Sequence, residues 1–178
     1  MTRSELEHLL RAAGSIADDK EIVVIGSQSV LGQFPNAPVE LLASMEADIF
    51  PLSRPERADL VDASIGEGSR FHESFGYYAQ GVSAKTAILP AGWQKRLVAI
   101  SNQNTSGVTG LCLEVNDLAI SKYIAGREKD LRFTRALAKH GLTHQSTLSQ
   151  RLGETTIKKP LRTIVAARIA RDFGKLKV

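Results

Sequence analysis

The feature that most constrains the fold is a β-branched run, Glu21–Ile25, which ends at Gly26–Ser27 and is followed by an apolar run carrying Glu46 and Asp48. A short run of this composition predicts a buried strand, and the Gly-Ser pair predicts a turn into a helix. In a strand, residues two positions apart point to the same face. We therefore expect the two carboxylates to project side by side.

These two predicted elements supply complementary chemistry. Backbone N–H groups at a helix start bind phosphate oxygens, and Gly26 and Ser27 occupy that position. Two neighbouring carboxylates repel each other, and a bound cation relieves the repulsion. A phosphate site beside a metal-binding carboxylate pair is the equipment of phosphoryl and nucleotidyl transfer. Each motif alone is short enough to arise by chance, so the prediction depends on their order along the chain.

The bulk composition is that of an ordinary globular protein. The chain has 178 residues, of which 43% are hydrophobic and 24% charged. No apolar run is long enough to span a bilayer, and the N-terminal residues lack the apolar segment of a signal peptide. Cys112 is the single cysteine, so no disulfide can form within the chain. We therefore expect a cytoplasmic protein with no membrane partner.

The net charge of +4 is unevenly distributed along the chain. Residues 150–178 carry eight basic side chains and two acidic ones, a charge of +6, which leaves −2 for the rest. A basic tail on a mildly acidic body favours a polyanionic partner, and the alternative is a solvated helical face. The basic residues of this tail are Arg151, Lys158, Lys159, Arg162, Arg168, Arg171, Lys175 and Lys177.

Hydrophobic periodicity predicts strands in the first part of the chain and helices alone in the last part. The fold class that follows is α/β (α+β), with a mixed sheet flanked by helices and a C-terminal helical extension. We predict a loop over 66–69. The predicted strands are 21–25, 46–50, an edge near 77–82, 87–89, 97–100 and 110–115, and the predicted helices are 2–18, 27–34, 54–65, 116–140 as one helix or a close pair, 143–152 and 160–173.

The helix predicted over 116–140 places a lysine among apolar neighbours. At 100° per residue, Lys122 falls beside Leu118 and Gly126, and Asp130 lies on the same broad arc. Such a lysine can extend its amine to water without any function. It can also direct its charge at a phosphate.

Taken together, Gly26-Ser27, Glu46-x-Asp48 and the segment 116–131 resemble the nucleotidyltransferase superfamily. The similarity is greatest to its abortive-infection toxin-like branch and to related uncharacterised bacterial nucleotidyltransferase-like proteins. In that branch a helix with Asp-Leu and a downstream lysine precedes a basic segment that ends in Lys-Asp. In the toxins a further acidic residue often follows. This chain has Phe133 and Thr134 at that place instead.

The resemblance implies transfer of a nucleotidyl group from a nucleoside triphosphate with Mg²⁺, to RNA, with tRNA as one candidate, or to a protein acceptor. It also implies a role as the toxin of a toxin–antitoxin pair, with a cognate antitoxin protein as partner. The implied site residues are Glu46 and Asp48 as metal ligands, Gly26 and Ser27 at the triphosphate, Lys122 at a phosphate, and Asp130 orienting Lys122 or assisting the acceptor.

Two other classes of function remain open. One is a catalytically silent nucleotidyltransferase-fold module that binds nucleic acid or a partner protein through its basic C-terminus. The other is the small antitoxin kind of nucleotidyltransferase, which modifies a partner toxin, and the segment with Lys122 and Asp130 argues against it. For every reading we predict a nucleotidyltransferase-like core over residues 1–142 and a basic helical extension over 143–178.

Overall fold

The computed structural model describes residues 1–174, which form two compact units. The first unit contains residues 1–86 and 97–114, and the second contains residues 87–96 and the described residues from 115 onward. The predicted division into a core over 1–142 and a helical extension over 143–178 stays a prediction. Lys175 and Lys177 lie outside the described residues.

The first unit is built on a mixed sheet of five short strands: β1 (Glu21–Val24), β2 (Glu46–Pro51), β3 (Tyr78–Gly81), β4 (Val98–Ile100) and β5 (Thr109–Cys112). Their order across the sheet is β3-β2-β1-β5-β4. β1 runs antiparallel to β2 and parallel to β5, β2 runs parallel to β3, and β4 runs antiparallel to β5. The predicted mixed α/β fold class is confirmed.

Four helices belong to the first unit: α1 (Arg3–Ala17), α2 (Val30–Gln33), α3 (Ala58–Ile65) and α4 (Arg70–Phe75). α1 begins at a capping box, in which the Thr2 side chain accepts from the Glu5 N–H and the Glu5 carboxylate accepts from the Thr2 N–H. The predicted helix over 27–34 is a 3₁₀ turn, Ser27–Ser29, followed by the single turn of α2.

α1 and α2 cover one face of the sheet. Leu10 of α1 packs so closely on Gly110 that a Cβ at residue 110 would overlap it, and Gly32 of α2 packs on Cys112 in the same way. Val24 pairs with both Ile49 and Cys112, so these side chains point to the covered face. Strand alternation then directs the neighbouring residues of β2 to the opposite face.

The second unit is helical, with α5 (Val115–Ala125), α6 (Glu128–Lys139), α7 (Gln145–Gly153) and α8 (Lys159–Gly174). α5 packs against each of the other three helices. The pattern predicted over 116–140 is therefore a closely joined pair, which is broken at Gly126, where φ is +67°. Gly141, at φ +66°, follows the end of α6. Within residues 1–174, no helix is long and apolar enough to cross a membrane.

One local prediction is wrong, and one short helix was not predicted. The strand predicted over 87–89 is absent from the described structure, and residues 87–96 form an irregular segment with a 3₁₀ turn at Trp93–Arg96. This segment is anchored to the second unit by Arg96, whose guanidinium binds the buried Asp117 carboxylate through two hydrogen bonds of 2.7 and 3.1 Å. α4 was not predicted, although Ser69 caps its N-terminus by accepting from the backbone N–H three residues later.

Candidate functional site

The carboxylates of Glu46 and Asp48 lie on the face of β2 opposite the helices α1 and α2. The intervening Ala47 and the following Ile49 are each 1% exposed, whereas both acidic residues are partly exposed. This alternation is the period of a strand with one buried face. The sequence-predicted pair is thus held side by side by the backbone of a single strand.

Gly26 lies directly against Asp48. The Ile25 N–H donates to the Asp48 carbonyl at 3.0 Å, and a Cβ on residue 26 would overlap the Asp48 Oδ2 atom. Only glycine can occupy this position without displacing the carboxylate. Ser27 follows as the first residue of the 3₁₀ turn, and the buried Ser29 hydroxyl fixes that turn by donating to the Val24 carbonyl at 2.7 Å. The structure therefore brings Gly26, Ser27 and Asp48 together.

Glu46 is bound by a residue on the neighbouring strand. Tyr78 is the register partner of Glu46 in the parallel β2–β3 ladder, and its hydroxyl donates to Glu46 Oε2 at 3.1 Å. Burial, the charge and hydrogen bond of Glu46, and the charges of Glu67 and Asp48 raise the pKa of Tyr78 to about 12. The Tyr78 hydroxyl therefore lies in a region of negative potential and stays protonated at neutral pH.

The donor set of this face fits a hard divalent cation. Mg²⁺ is commonly bound by one or two carboxylates, with substrate phosphates and water completing the coordination. Glu46 and Asp48 supply two carboxylates on adjacent positions of one face. Among residues 1–174 no group of three or more His, Cys, Asp or Glu side chains forms a closed metal site. The arrangement is thus suited to a metal shared with a ligand and unsuited to a structural metal.

A second charged cluster lies in the second unit and is centred on Asp130. Its side chain is fully buried and binds Lys122 Nζ at 3.1 Å and Arg127 Nε at 2.6 Å. Lys122 itself is 15% exposed and lies 5.6 Å from the centre of the Phe133 ring. The predicted pairing of Lys122 with Asp130 is therefore present, and Phe133 supports the amine from the side.

The cations decide the charge state of Asp130. Burial acts on its pKa most strongly and raises it, but the hydrogen bonds and charges of Arg127 and Lys122 outweigh burial and hold the pKa below its usual value. Asp130 is therefore ionised at neutral pH. One carboxylate facing two cations leaves this cluster with an excess of positive charge.

Comparison with known protein families decides the class of protein. The family described as a nucleotidyltransferase of unknown function (DUF6036) matches residues 4–158. The chain belongs to this family. No curated protein and no solved structure matched the chain. The match includes both β2 and the α5–α6 pair, and it supports a nucleotidyltransferase-like protein, although the toxin-like branch remains a prediction.

Four arginines of the basic tail in this nucleotidyltransferase-like protein bind partners within the second unit. Arg151 binds Glu154 and approaches the buried Asp117 at 3.2 Å, and Arg168 donates to the carbonyl of Tyr123 at 2.5 Å. Arg162 binds the carbonyl of Leu152 in α7 and that of Thr155, which follows α7. Arg171 binds Asp172. These guanidiniums hold α7 and α8 in place. The four arginines are Arg151, Arg162, Arg168 and Arg171.

The structure adds three residues that the sequence motifs did not indicate as site residues. Tyr78 and Arg127 bind the predicted acids Glu46 and Asp130 directly. His72 packs its ring 4.6 Å from the Tyr78 ring. A signal existed for Arg127, which lies three residues before Asp130 at the spacing of a helical ion pair. The Tyr78 contact spans 32 residues and depends on strand register, which the sequence pattern does not specify.

Proposed function

We propose that the protein transfers a nucleotidyl group from a nucleoside triphosphate to a hydroxyl group of RNA, with Mg²⁺ bound by Glu46 and Asp48. The observation that carries this proposal is the packing of the Asp48 carboxylate on Gly26, at the Gly-Ser turn that follows β1. It combines a carboxylate pair with a turn rich in backbone donors, in a chain that belongs to a nucleotidyltransferase family. Both features are needed for handling a metal–triphosphate complex.

In the proposed reaction, the acceptor oxygen forms a bond to the α-phosphorus, the bond to the leaving pyrophosphate breaks, and the acceptor proton passes to solvent. A Mg²⁺ ion bound here would offset the negative charge that develops on the phosphates. Glu46 and Asp48 supply its protein ligands. Gly26 and Ser27 bind the triphosphate through backbone N–H groups and the serine hydroxyl, at the turn that lies against Asp48.

Lys122 is assigned a phosphate-binding role, and Asp130 is assigned the orientation of the Lys122 amine. The support is the partial burial of Lys122, whose side chain is 15% exposed, and its ion pair with Asp130, which hold the amine in one position. A lysine that merely extended to solvent would not need a buried carboxylate and an aromatic ring beside it. Arg127 keeps Asp130 ionised and adds to the positive charge around it.

RNA is the proposed acceptor because the chain is basic overall, and tRNA is the candidate within that class. Lys158 and Lys159 are exposed and form no ion pair with other described residues, so they are available for phosphate contacts. Because modification of tRNA would stop translation, the proposal includes a toxin role, with a cognate antitoxin protein as partner. Transfer to a protein hydroxyl is the alternative that the assay must distinguish.

The proposal is tested by incubating the purified protein and Mg²⁺ with each α-labelled nucleoside triphosphate and total RNA. We expect label in RNA with the wild-type protein and none with Asp48→Asn. If label instead appears in protein, and its transfer depends on Asp48, the proposed reaction is right but the acceptor is a protein and not RNA. RNA retention that survives Asp48→Asn, with no label transferred from any of the four triphosphates, would instead identify a silent binding module.

A further inference from the structure

The two carboxylates of the proposed metal site are held by different means. The short side chain of Asp48 lies against the backbone of Gly26, and the glycine leaves no room for it to shift in that direction. Glu46 carries one more rotatable bond, and such a side chain loses more rotamer freedom when it is fixed. Its backbone is held by Ser44, whose hydroxyl accepts from the Glu46 N–H at 3.1 Å, but that contact does not orient the carboxylate.

Tyr78 supplies the contact that does orient it. The hydroxyl reaches Glu46 Oε2 at 3.1 Å across the parallel ladder, so both residues share one face of the sheet. The Tyr78 backbone is fixed as well, because its N–H donates to the Met45 carbonyl at 3.0 Å. A single donor on one oxygen leaves the second carboxylate oxygen of Glu46 for another ligand.

The Tyr78 ring is itself held from behind. The His72 ring lies 4.6 Å from it, and the Nδ1 atom of His72 accepts from the Gly68 N–H at 3.0 Å, which fixes the imidazole. Ser69 caps α4 and thereby fixes the helix that carries His72. The hydroxyl of Tyr78 thus projects from a ring with little freedom to move. That hydroxyl is directed at Glu46 Oε2, to which it donates at 3.1 Å.

We propose that Tyr78 is a positioning residue that holds the Glu46 carboxylate in the orientation that binds the divalent cation, supported by His72 and the 68–69 turn. The inference rests on the proposed function, because it assumes that Glu46 and Asp48 bind a metal. It assigns Tyr78 no contact with substrate. Partners that orient a metal ligand typically affect metal affinity by tenfold or more.

The chain offers a matched control in the adjacent residue. Tyr77 also donates or accepts a hydrogen bond, at 2.7 Å to His8 Nδ1, and burial raises the pKa of its hydroxyl too. It lies in an aromatic cluster with Phe71 and Phe75, apart from Glu46. Tyr77→Phe and Tyr78→Phe therefore delete the same atom from neighbouring residues, and only the second deletion removes a contact to the proposed metal ligand.

The experiment measures binding of Mn²⁺ alone by electron paramagnetic resonance of the free ion, with competition by Mg²⁺. We expect Tyr78→Phe to weaken Mn²⁺ binding roughly tenfold, and Tyr77→Phe to leave it unchanged. In a Glu46→Asp background the shortened side chain no longer reaches the hydroxyl, so Tyr78→Phe should add nothing there. Circular dichroism of each variant checks that the fold is retained, which we expect because phenylalanine keeps the ring against His72.

Each outcome bears on one claim. If Glu46→Gln with Asp48→Asn abolishes Mn²⁺ binding while Tyr78→Phe binds as the wild type does, the role of Tyr78 is wrong and the metal site stands. If Tyr78→Phe weakens binding equally in the wild-type and Glu46→Asp backgrounds, Tyr78 does not act through Glu46. A wild-type protein that binds no Mn²⁺, or a double variant that binds it unchanged, contradicts the proposed metal site and the inference with it.

Discussion

The two charged clusters of this protein differ in what surrounds their carboxylates. Asp130 is fully buried between two cations, and its pKa lies below the usual value. Glu46 instead receives a hydrogen bond from neutral Tyr78, whose own pKa is raised to about 12 by burial and by nearby acids. Apart from burial, which raises both pKa values, the acids near Tyr78 and the cations beside Asp130 act in opposite directions, so the local potential is negative at β2 and positive around Lys122 and Arg127.

Asp130 thus has two cations as partners, whereas the partner of Glu46 is a neutral hydroxyl group. Asp130 has its counterions within the protein, so its ion pairs contribute to folding with no added partner. The pair on β2 shares one face of a strand, where a bound cation would relieve the mutual repulsion of the two carboxylates. A metal at one cluster and a phosphate at the other are the ligands that the two potentials favour. The proposed nucleotidyl transfer needs both of these ligands.

The largest expected effect comes from neutralising the negative cluster. Glu46→Gln combined with Asp48→Asn should abolish metal-dependent nucleotide binding, because the two protein ligands of the cation lose their charge. The fold should survive or gain slightly in stability, since the mutual repulsion of the two carboxylates is removed. Calorimetry with Mg²⁺ and each nucleoside triphosphate measures the binding, and thermal unfolding measures the stability. An unchanged affinity would show that this face binds no metal–nucleotide complex.

Removing the charge of the buried acid should mainly affect stability. We expect Asp130→Asn to lower the free energy of unfolding by roughly 1.5–3 kcal/mol, the range for hydrogen bonds to charged groups. The matched control is Glu128→Gln, which breaks the exposed pair with Arg132 on the same helix, where the two side chains are 82% and 71% exposed. That change should cost about 0–1 kcal/mol. Urea unfolding curves of the two variants measure both values.

The stability difference between the wild-type protein and Asp130→Asn should depend on pH. Because the pKa of Asp130 is lower in the folded state, its stabilisation is fully present above the unfolded pKa and is lost as pH falls through the folded pKa. The stability difference between wild type and Asp130→Asn should therefore shrink below about pH 4, near the ordinary pKa of aspartate. A difference that stays constant down to pH 2 would mean that the Asp130 charge is not the source of the stabilisation.

Much of the first unit could be predicted because its signals are local. β-branched runs bounded by glycine, serine and proline give β1 and β2, and the strand period places Glu46 beside Asp48. The capping box of α1 and the glycine that follows α6 are local signals of the same kind. The family resemblance, with its Gly-Ser turn and the Lys122–Asp130 segment, is confirmed at the level of the nucleotidyltransferase family.

The features that could not be predicted depend on contacts distant in sequence. The 87–89 segment has strand-like residues, but Arg96 is bound to Asp117, 21 residues away, within an irregular segment. α4 is only six residues long, and its Phe71 and Phe75 pack on His8 of α1. Net charge likewise describes the tail poorly, because partners within the second unit bind four of its arginines.

Lys122 offers a sharper test of the positive cluster than stability does. Lys122→Ala should weaken triphosphate binding by roughly 1.5–3 kcal/mol, because a charged hydrogen bond to phosphate is lost. Binding of the corresponding nucleoside should hardly change. The control is Lys129→Ala, an exposed lysine on α6 with the same formal charge. Calorimetric titrations with both ligands decide the role, and an equal response of triphosphate and nucleoside would indicate that Lys122 only fills space.

The smallest effect is expected at the tail, where structural and available charges can now be separated. Deleting the residues after Gly153 would remove Val165 and Ile169, which are 0% and 2% exposed, so truncation would damage the second unit. Lys158→Gln with Lys159→Gln removes only exposed charge. If these lysines contact RNA phosphates, the slope of log affinity against log salt should flatten by roughly 1.4, about 0.7 for each single-strand contact.

Arg162→Gln provides the contrast for this last prediction, because its guanidinium binds the carbonyls of Leu152 and Thr155. It should lower the free energy of unfolding and leave the salt slope unchanged, whereas the double lysine variant should do the reverse. Filter binding of RNA at several salt concentrations, together with thermal unfolding, gives both quantities for each variant. If RNA binds and neither change alters the salt slope, the RNA contacts lie outside Lys158, Lys159 and Arg162. If the salt slope flattens only with Arg162→Gln, Arg162 exchanges its bonds to the Leu152 and Thr155 carbonyls for phosphate contacts when RNA binds.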